Sequence, residues 1–253
     1  MNIPNTQPQK SFNILLIGDD CLDVYQYGTV ERISPEAPVP VFKFSHEETK
    51  PGMAANVKEN LEALGCKVTF LSNGISCKTR LIDLKSKQHI VRIDDDVQCD
   101  PLEFATEIPK VYDAIVVSDY NKGTISYEVV EEIRKDYKGP IFVDTKKTDL
   151  KRFNGCFIKI NELEYSKITS ETFAHKLIVT LGDKGVRYDN FIFGVHPVEV
   201  VDVTGAGDTF LAALTFGYLK YNNMEEAIKL AMKASSLTVQ HMGVYAPKLE
   251  EIL

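Results

Sequence analysis

The chain reads as a doubly wound α/β fold, a mainly parallel sheet flanked by helices, with a smaller sheet projecting from it. Three observations predict this. Six short apolar runs rich in β-branched residues recur along the 253 residues, as strands buried on both faces require. Helical stretches closed by glycine lie between them. Stretches 39–44 and 81–93 instead alternate apolar with charged residues, as half-exposed strands do.

In order, the first strand is expected over 13–17 and runs into Gly18-Asp19-Asp20. Residues 25–30 join 39–44 and 81–93 in the small sheet, although edge strands of the main sheet would look similar. Pro51-Gly52 opens a helix over 54–64, closed by Gly65. The second strand is 67–71, and the third, 114–117, ends in Ser118-Asp119. A helix over 127–137 follows, closed by Gly139 after Lys138. The fourth strand, 141–143, runs into Asp144-Thr145-Lys146, the fifth, 157–160, into Asn161, and the sixth, 177–180, into Leu181-Gly182. The run after Thr209 is apolar on nearly all sides, so it is a buried helix. A last helix, 224–242, starts after Asn223 with Glu225 and Glu226 in its first turn. Polar residues thus gather beyond the carboxyl ends of the strands, where open α/β sheets bind ligands. Each of them singly is also what turns use.

At 44% hydrophobic, the chain can bury one sizeable core, and a single domain over 1–253 is expected. A net charge of −7 speaks against a nucleic-acid or membrane partner, which would want a basic face. Cys21, Cys66, Cys77, Cys99 and Cys156 form no C-x-x-C pair and no metal-ligand spacing with histidine, so free thiols in a reducing cytoplasm are expected. No apolar run reaches 18 residues, and residues 1–11 read as a frayed tail. Asp94-Asp95-Asp96 reads as a solvated acidic turn.

Chemistry concentrates in Asp202-Val203-Thr204-Gly205-Ala206-Gly207-Asp208-Thr209-Phe210. Gly205 and Gly207 allow positive φ and close approach to a ligand, and the amides at a helix start favour an anion. A dinucleotide fingerprint would need glycine where Phe210 stands, and a P-loop would need Gly-Lys-Ser/Thr, which occurs nowhere. A capping role explains one aspartate but not the Gly-Ala-Gly before it. At the same rim, Asn161 and Glu164 stand three apart and face one way on a helical turn, able to position hydrated Mg²⁺.

The Gly205–Asp208 segment resembles the signature of the ribokinase-like (PfkB-type) carbohydrate kinases. That resemblance implies Asp208 as catalytic base, with Gly205, Ala206 and Gly207 lining an anion hole. It implies ATP and Mg²⁺ as cofactors, and a small-molecule sugar or sugar phosphate as acceptor. The small sheet becomes a lid, with strands within about 25–50 and 79–95 and often a homodimer contact. Asp23 and Asn56 match residues that hold sugar hydroxyls, and Gly52 a backbone contact. Asn161 and Glu164 match the pattern beside the metal and phosphates, and Thr180, Gly182 and Gly185 the turn under the nucleotide. Asp202 and Thr204 match positions that often hold a monovalent cation, K⁺ for example.

More narrowly, Gly18-Asp19-x-x-Leu22-Asp23-x-Tyr25-x-Tyr27-Gly28, Arg32-Ile33-Ser34-Pro35-Glu36-Ala37-Pro38-Val39-Pro40-Val41 and Pro51-Gly52-x-Ala54-Ala55-Asn56 are similar to the heptose 7-phosphate kinase domain of the bifunctional ADP-heptose synthesis enzymes. Ser118-Asp119-Tyr120-Asn121-Lys122-Gly123 and Asp144-x-Lys146-x-Thr148-Asp149 agree. This implies transfer to O1 of D-glycero-D-manno-heptose 7-phosphate. An acceptor that already carries a phosphate needs cations, and Lys122, Lys146 and Arg92 are candidates. Small residues Ala231, Ala234 and Ser235 would let an adenine lie close against the 243–246 loop, although core packing explains them better. Two departures stand out. Met53 replaces a second glycine of the family motif, and the connections around 74–78 and 164–177 are short. Two alternatives stay open: a kinase for another sugar or sugar phosphate, such as fructose 6-phosphate or a nucleoside, and a degenerate kinase that only binds nucleotide or sugar phosphate.

Overall fold

The computed structural model describes residues 11–104, 111–170 and 172–253, so the expected tail lies, apart from Ser11, outside the described residues. In chain order the elements are β1 (Asn13–Gly18), β2 (Asp20–Ile33), β3 (Pro40–Gly52), α1 (Met53–Ala63), β4 (Lys67–Leu71), β5 (Ile75–Asp83), β6 (His89–Asp95), β7 (Ala114–Asp119), α2 (Tyr127–Asp136), β8 (Ile141–Thr145), β9 (Phe157–Asn161), α3 (Glu162–Tyr165), β10 (Leu177–Thr180), β11 (Val186–Tyr188), β12 (Phe191–Phe193), α4 (Ala206–Tyr221), α5 (Met224–Thr238) and α6 (Leu249–Ile252).

The larger sheet runs β12-β11-β10-β9-β8-β7-β1-β4. Its six predicted strands are all present and all parallel, while β11 and β12 continue it as an antiparallel hairpin. Alternate residues of these strands feed two cores. Ile14, Leu16, Val116 and Phe142 face α1, α4 and α5, whereas Leu15, Ile17, Val117 and Val143 face α2. Burial on both faces is why these strands read as unbroken apolar runs. Parallel pairing then brings the ends of β1, β7, β8, β9 and β10 to a single rim.

The second sheet, β3-β2-β5-β6, is the projecting lid. Its strands exceed the expected stretches: β2 begins at Asp20, directly at the rim, and β3 continues to the start of α1. The stretch 81–93 is not one strand but the ends of β5 and β6 around a turn. Charge on both faces of β3 hides its length, because alternation shows only where one face is apolar. The short connections are real: Leu71 is followed by the lid strand β5, and α3 is a single turn before β10.

Helix ends follow local chemistry. Ser126 Oγ accepts from Val129 N at 3.2 Å at the start of α2, and Asn223 Oδ1 from Glu226 N at 3.1 Å at the start of α5. Helix α5 ends at Thr238, short of the expected 242. Ala231 and Ala234 pack in the core, and Ser235 Oγ donates to the Ala206 carbonyl at 3.0 Å, so these small residues bind α5 to α4. All five cysteines are free thiols. Among the described residues no helix is long and apolar enough to cross a membrane.

Helices α4 and α5 touch closely at Gly217, where a Cβ would sit 2.9 Å from the Ala227 Cα and 3.3 Å from Leu230 Cδ2. Gly217→Val should therefore force the two helices apart and destabilise the fold by about 1–3 kcal/mol, read from the urea midpoint. An unchanged midpoint would mean that this seam is not rigid.

Candidate active site

Asp208 is the third residue of α4, yet it does not cap its own helix. Its carboxylate accepts from Asn56 Nδ2 of α1 at 2.8 Å and from the Tyr120 hydroxyl, just beyond β7, at 2.8 Å. The side chain is buried, with 5% of the residue exposed. Burial pushes its pKa up to about 6, against the two hydrogen bonds, which pull it down, and with nearby Asp144 adding to the rise. A carboxylate tuned near neutrality beside an anion-accepting helix start has the properties of a general base.

The loop before it is built for close approach. Gly205 takes φ +78°, and a Cβ there would lie 2.8 Å from Asn56 Nδ2 and 3.0 Å from Val244 Cγ1. Helix α4 begins at Ala206, earlier than the apolar run indicates, so Gly207 is helical rather than left-handed. The Ala206 amide donates to the Val203 carbonyl at 3.3 Å, which leaves the Gly205, Gly207 and Asp208 amides without an acceptor among the described residues. Beneath Gly207 lies Lys159 of β9, whose Nζ is 3.0 Å from where a Gly207 Cβ would stand. Lys159 is buried and pairs with Asp144 Oδ2 at 2.6 Å. Desolvation opposes its charge, but Asp144 wins and holds the ammonium above its ordinary pKa.

Asp19 explains how Tyr120 reaches Asp208. Its buried carboxylate accepts from the amides of Tyr120 at 2.8 Å, Lys122 at 3.0 Å and Thr124 at 3.2 Å, which folds the loop after β7 over the rim. Asp119 similarly accepts from Thr145 Oγ1 at 2.5 Å and Lys147 Nζ at 2.9 Å. These two rim acids are structural ties.

On the lid side, Asp23 is buried and its Oδ1 accepts from Arg80 Nη1 at 2.6 Å, while Gly52 is so close that a Cβ would meet Asp23 Oδ2 at 2.7 Å. Asp23, Gly52 and Asn56 are thus brought together at the junction of lid and α1. Met53 holds φ +49° at the first position of α1. The left-handed conformation open to glycine is kept with a side chain attached, at a cost of about 1–2 kcal/mol. The three expected phosphate cations do not converge. Lys122 pairs with Asp96 at 2.5 Å, so Asp96 is not simply solvated; Arg92 pairs with Asp94 at 2.7 Å on its own exposed strand; Lys146 pairs with Glu164.

On the side expected to hold nucleotide, Asn161 and Glu164 form a reciprocal capping box on α3: Asn161 Oδ1 accepts from Glu164 N at 2.8 Å, and Glu164 Oε2 from Asn161 N at 2.8 Å. Among the described residues no cluster of three or more His, Cys, Asp or Glu could hold a metal. A hydrated Mg²⁺ that takes its other ligands from phosphates fits this pair, and a fully protein-bound ion does not. Thr180 ends β10, and Gly182 and Gly185 lie in the turn between β10 and β11, with Gly182 open to space and Gly185 pressed against the Phe193 carbonyl. Both Asp202 oxygens are engaged, Oδ1 by Thr204 N at 3.0 Å and Thr204 Oγ1 at 2.8 Å, Oδ2 by Gly243 N at 2.9 Å. The Asp202–Thr204 pair therefore clamps two loops together.

Sequence reasoning assigned no role to Tyr120, Lys159 or Arg80. Tyr120 follows a rim aspartate directly, and Lys159 is the lone charge in the buried strand Phe157–Asn161. Those anomalies were the available signals. Arg80 had none, because its partner lies 57 residues away.

The pfkB family carbohydrate kinase pattern matches residues 157–252. Over 295 aligned residues the chain is 33% identical to the "Bifunctional protein HldE" of a Nitratiruptor species, covering 94% of this chain and 64% of that protein. The Helicobacter acinonychis protein of the same name is 32% identical, covering 94% of this chain and 65% of its own length. The chain thus spans 64–65% of the length of these curated relatives. Among solved structures, Arabidopsis thaliana ribokinase complexed with ribose and ATP has TM-score 0.67 at 16% identity, covering 96% of this chain and 98% of that one. Escherichia coli phosphofructokinase-2 in complex with potassium has TM-score 0.70 at 14% identity, covering 96% and 97%. The fold is ribokinase-like.

The Asp208 carboxyl should titrate near pH 6 by ¹³C NMR, and higher in Tyr120→Phe, which removes a hydrogen bond to the charged form. The native state holds this proton more tightly than the unfolded chain, so ionisation costs stability as pH rises through about 6. Asp208→Asn should accordingly raise the thermal midpoint more at pH 8 than at pH 4.5. A wild-type titration at the ordinary carboxylate value of about 3.9 would overturn this account.

Proposed function

We propose, from the match of residues 157–252 to the pfkB family carbohydrate kinases, that the chain transfers the γ-phosphate of ATP to O1 of D-glycero-D-manno-heptose 7-phosphate. The observation that carries this reading is the double hold on Asp208, by Asn56 and Tyr120, which aims the carboxylate away from its own helix amides. Asp208 takes the proton of the acceptor hydroxyl as that oxygen attacks the γ-phosphorus, and ADP leaves. The Gly205 and Gly207 amides and the Lys159 ammonium stand where charge develops on the transferred group. Mg²⁺, met through water by Asn161 and Glu164, would neutralise phosphate charge. Asp23 and Asn56 hold the sugar hydroxyls under the lid. The Arabidopsis ribokinase of the same fold is complexed with ribose and ATP, which supports the division into sugar and nucleotide sides. The bifunctional name of the sequence relatives and the motif resemblance support the heptose acceptor over other sugars.

The outer face of the lid supports self-association. Leu22, Phe44, Val91 and Ile93 are exposed on the face opposite Asp23 and Arg80. An apolar sheet face of this kind marks an interaction surface. We place a homodimer contact there; Ile93→Lys should halve the mass seen in sedimentation, and a wild-type monomer would remove the proposal.

With ATP and Mg²⁺, a panel of free and phosphorylated sugars should show ADP release that depends on heptose 7-phosphate. Asp208→Asn should lower turnover at least about a hundredfold while ATP binding barely changes. Near-normal turnover in that variant would exclude Asp208 as the base, and nucleotide binding without ADP release from any acceptor would favour a binding module.

A further inference from the structure

Lys122, Lys146 and Arg92 are each committed to a carboxylate, but another lid lysine is not. Lys50, near the end of β3, is half-buried, and among the described residues no carboxylate lies within ion-pair distance of it. Its ammonium donates a long 3.4 Å bond to the Val244 carbonyl and lies 5.8 Å from the Tyr25 ring centroid. Tyr25 of β2 is 3% exposed, and its buried hydroxyl has no hydrogen-bond partner. Buried hydroxyls normally find partners, so an orphaned one marks a place where something docks.

These two groups face one turn. Lys50 Nζ and the Tyr25 hydroxyl each lie 3.4 Å from the point where a Cβ on Gly243 would sit, and Gly243, at φ +70°, places no side chain between them. Burial pushes the Tyr25 phenol up to about 12, so it remains a proton donor. Arg80 stacks over the same ring at 5.2 Å while bonding Asp23, which fixes the ring. Asp23 and Lys50 are register partners, so Lys50 stands on the lid face that carries the sugar-side carboxylate. An ammonium and an unpartnered hydroxyl donor that face one glycine turn call for an oxyanion.

We propose that Lys50 and Tyr25 form the seat for the phosphate that a phosphorylated sugar brings to this enzyme. The proposal rests on the kinase reading. It makes Lys50 a specificity residue: a sugar that lacks the phosphate leaves both donors unmet, and the chain discriminates against it.

The test is calorimetric binding, without nucleotide, of glucose 6-phosphate, fructose 6-phosphate and heptose 7-phosphate, beside their unphosphorylated forms. Lys50→Met should weaken the best sugar phosphate at least about tenfold, and Tyr25→Phe about threefold or more, with free-sugar binding unchanged. Lys50→Arg should retain most of the affinity, and this keeps the test decisive if Lys50→Met folds poorly. Equal losses for phosphorylated and free sugars would make Lys50 a lid latch to Val244 and overturn the seat. So would a Lys50→Met effect confined to the KM for ATP. If instead sugar phosphates bind in a Lys50-dependent way but no acceptor supports ADP release, the kinase reading fails and the seat stands.

Discussion

The structure is organised around a buried carboxylate held only by neutral donors. Asp208 receives hydrogen bonds from an amide and a phenol, and the nearby cation, Lys159, is tied to Asp144. A direct ion pair to Asp208 would hold its pKa low and make it a poor base. Neutral partners satisfy the oxygens without that penalty, and burial then sets the proton affinity near the working range of a cell. Lys159 Nζ still lies 3.0 Å from the point where a Gly207 Cβ would stand, close to the loop proposed to take the anion. Separating the positive charge from the base lets one small volume offer both proton acceptance and anion attraction.

This arrangement needs three chain segments in register, and the other rim acids supply it. Asp19 gathers three amides of the loop that carries Tyr120, and Asp119 ties the ends of β7 and β8 through Thr145 and Lys147. Asp202 joins the loop before α4 to Gly243. Each of these carboxylates is saturated by donors, which is the condition for burying it at all. Rim position alone therefore does not mark an acid as chemical.

The difference between legible and illegible features follows the same physics. The six central strands were readable because burial on both faces demands unbroken apolar runs, and the Gly205–Asp208 loop because its backbone demands glycine next to an acid. The lid was half-readable: β2 and β3 run well past the stretches that alternate, since their charged residues face partners on one side and solvent on the other. Pairings across the chain were not readable. Lys146 with Glu164, Lys122 with Asp96 and Arg80 with Asp23 are 18, 26 and 57 positions apart, and a cation's sequence says nothing about which acid claims it. Candidate phosphate ligands are for that reason the hardest residues to pick from sequence, and the unclaimed lysine had no local mark.

Of the departures from the family pattern, Met53 lies beside the chemical centre and the others are short connections. The alignment with the Nitratiruptor relative is 295 residues long against 253 here, and the connections after β4 and at α3 are short. Met53 replaces a glycine but keeps the left-handed backbone, and its neighbour Ala54 still donates to the Asp19 carbonyl at 3.0 Å. A strained backbone persists only where the surroundings over-determine it. Here those surroundings are the junction that sets Asn56 against Asp208. A module that merely binds sugar or nucleotide has no use for a base raised to about 6, since burying that carboxylate lowers stability at neutral pH. Retaining both the strain and the buried acid while those connections are short is the pattern of a chain still held to catalysis.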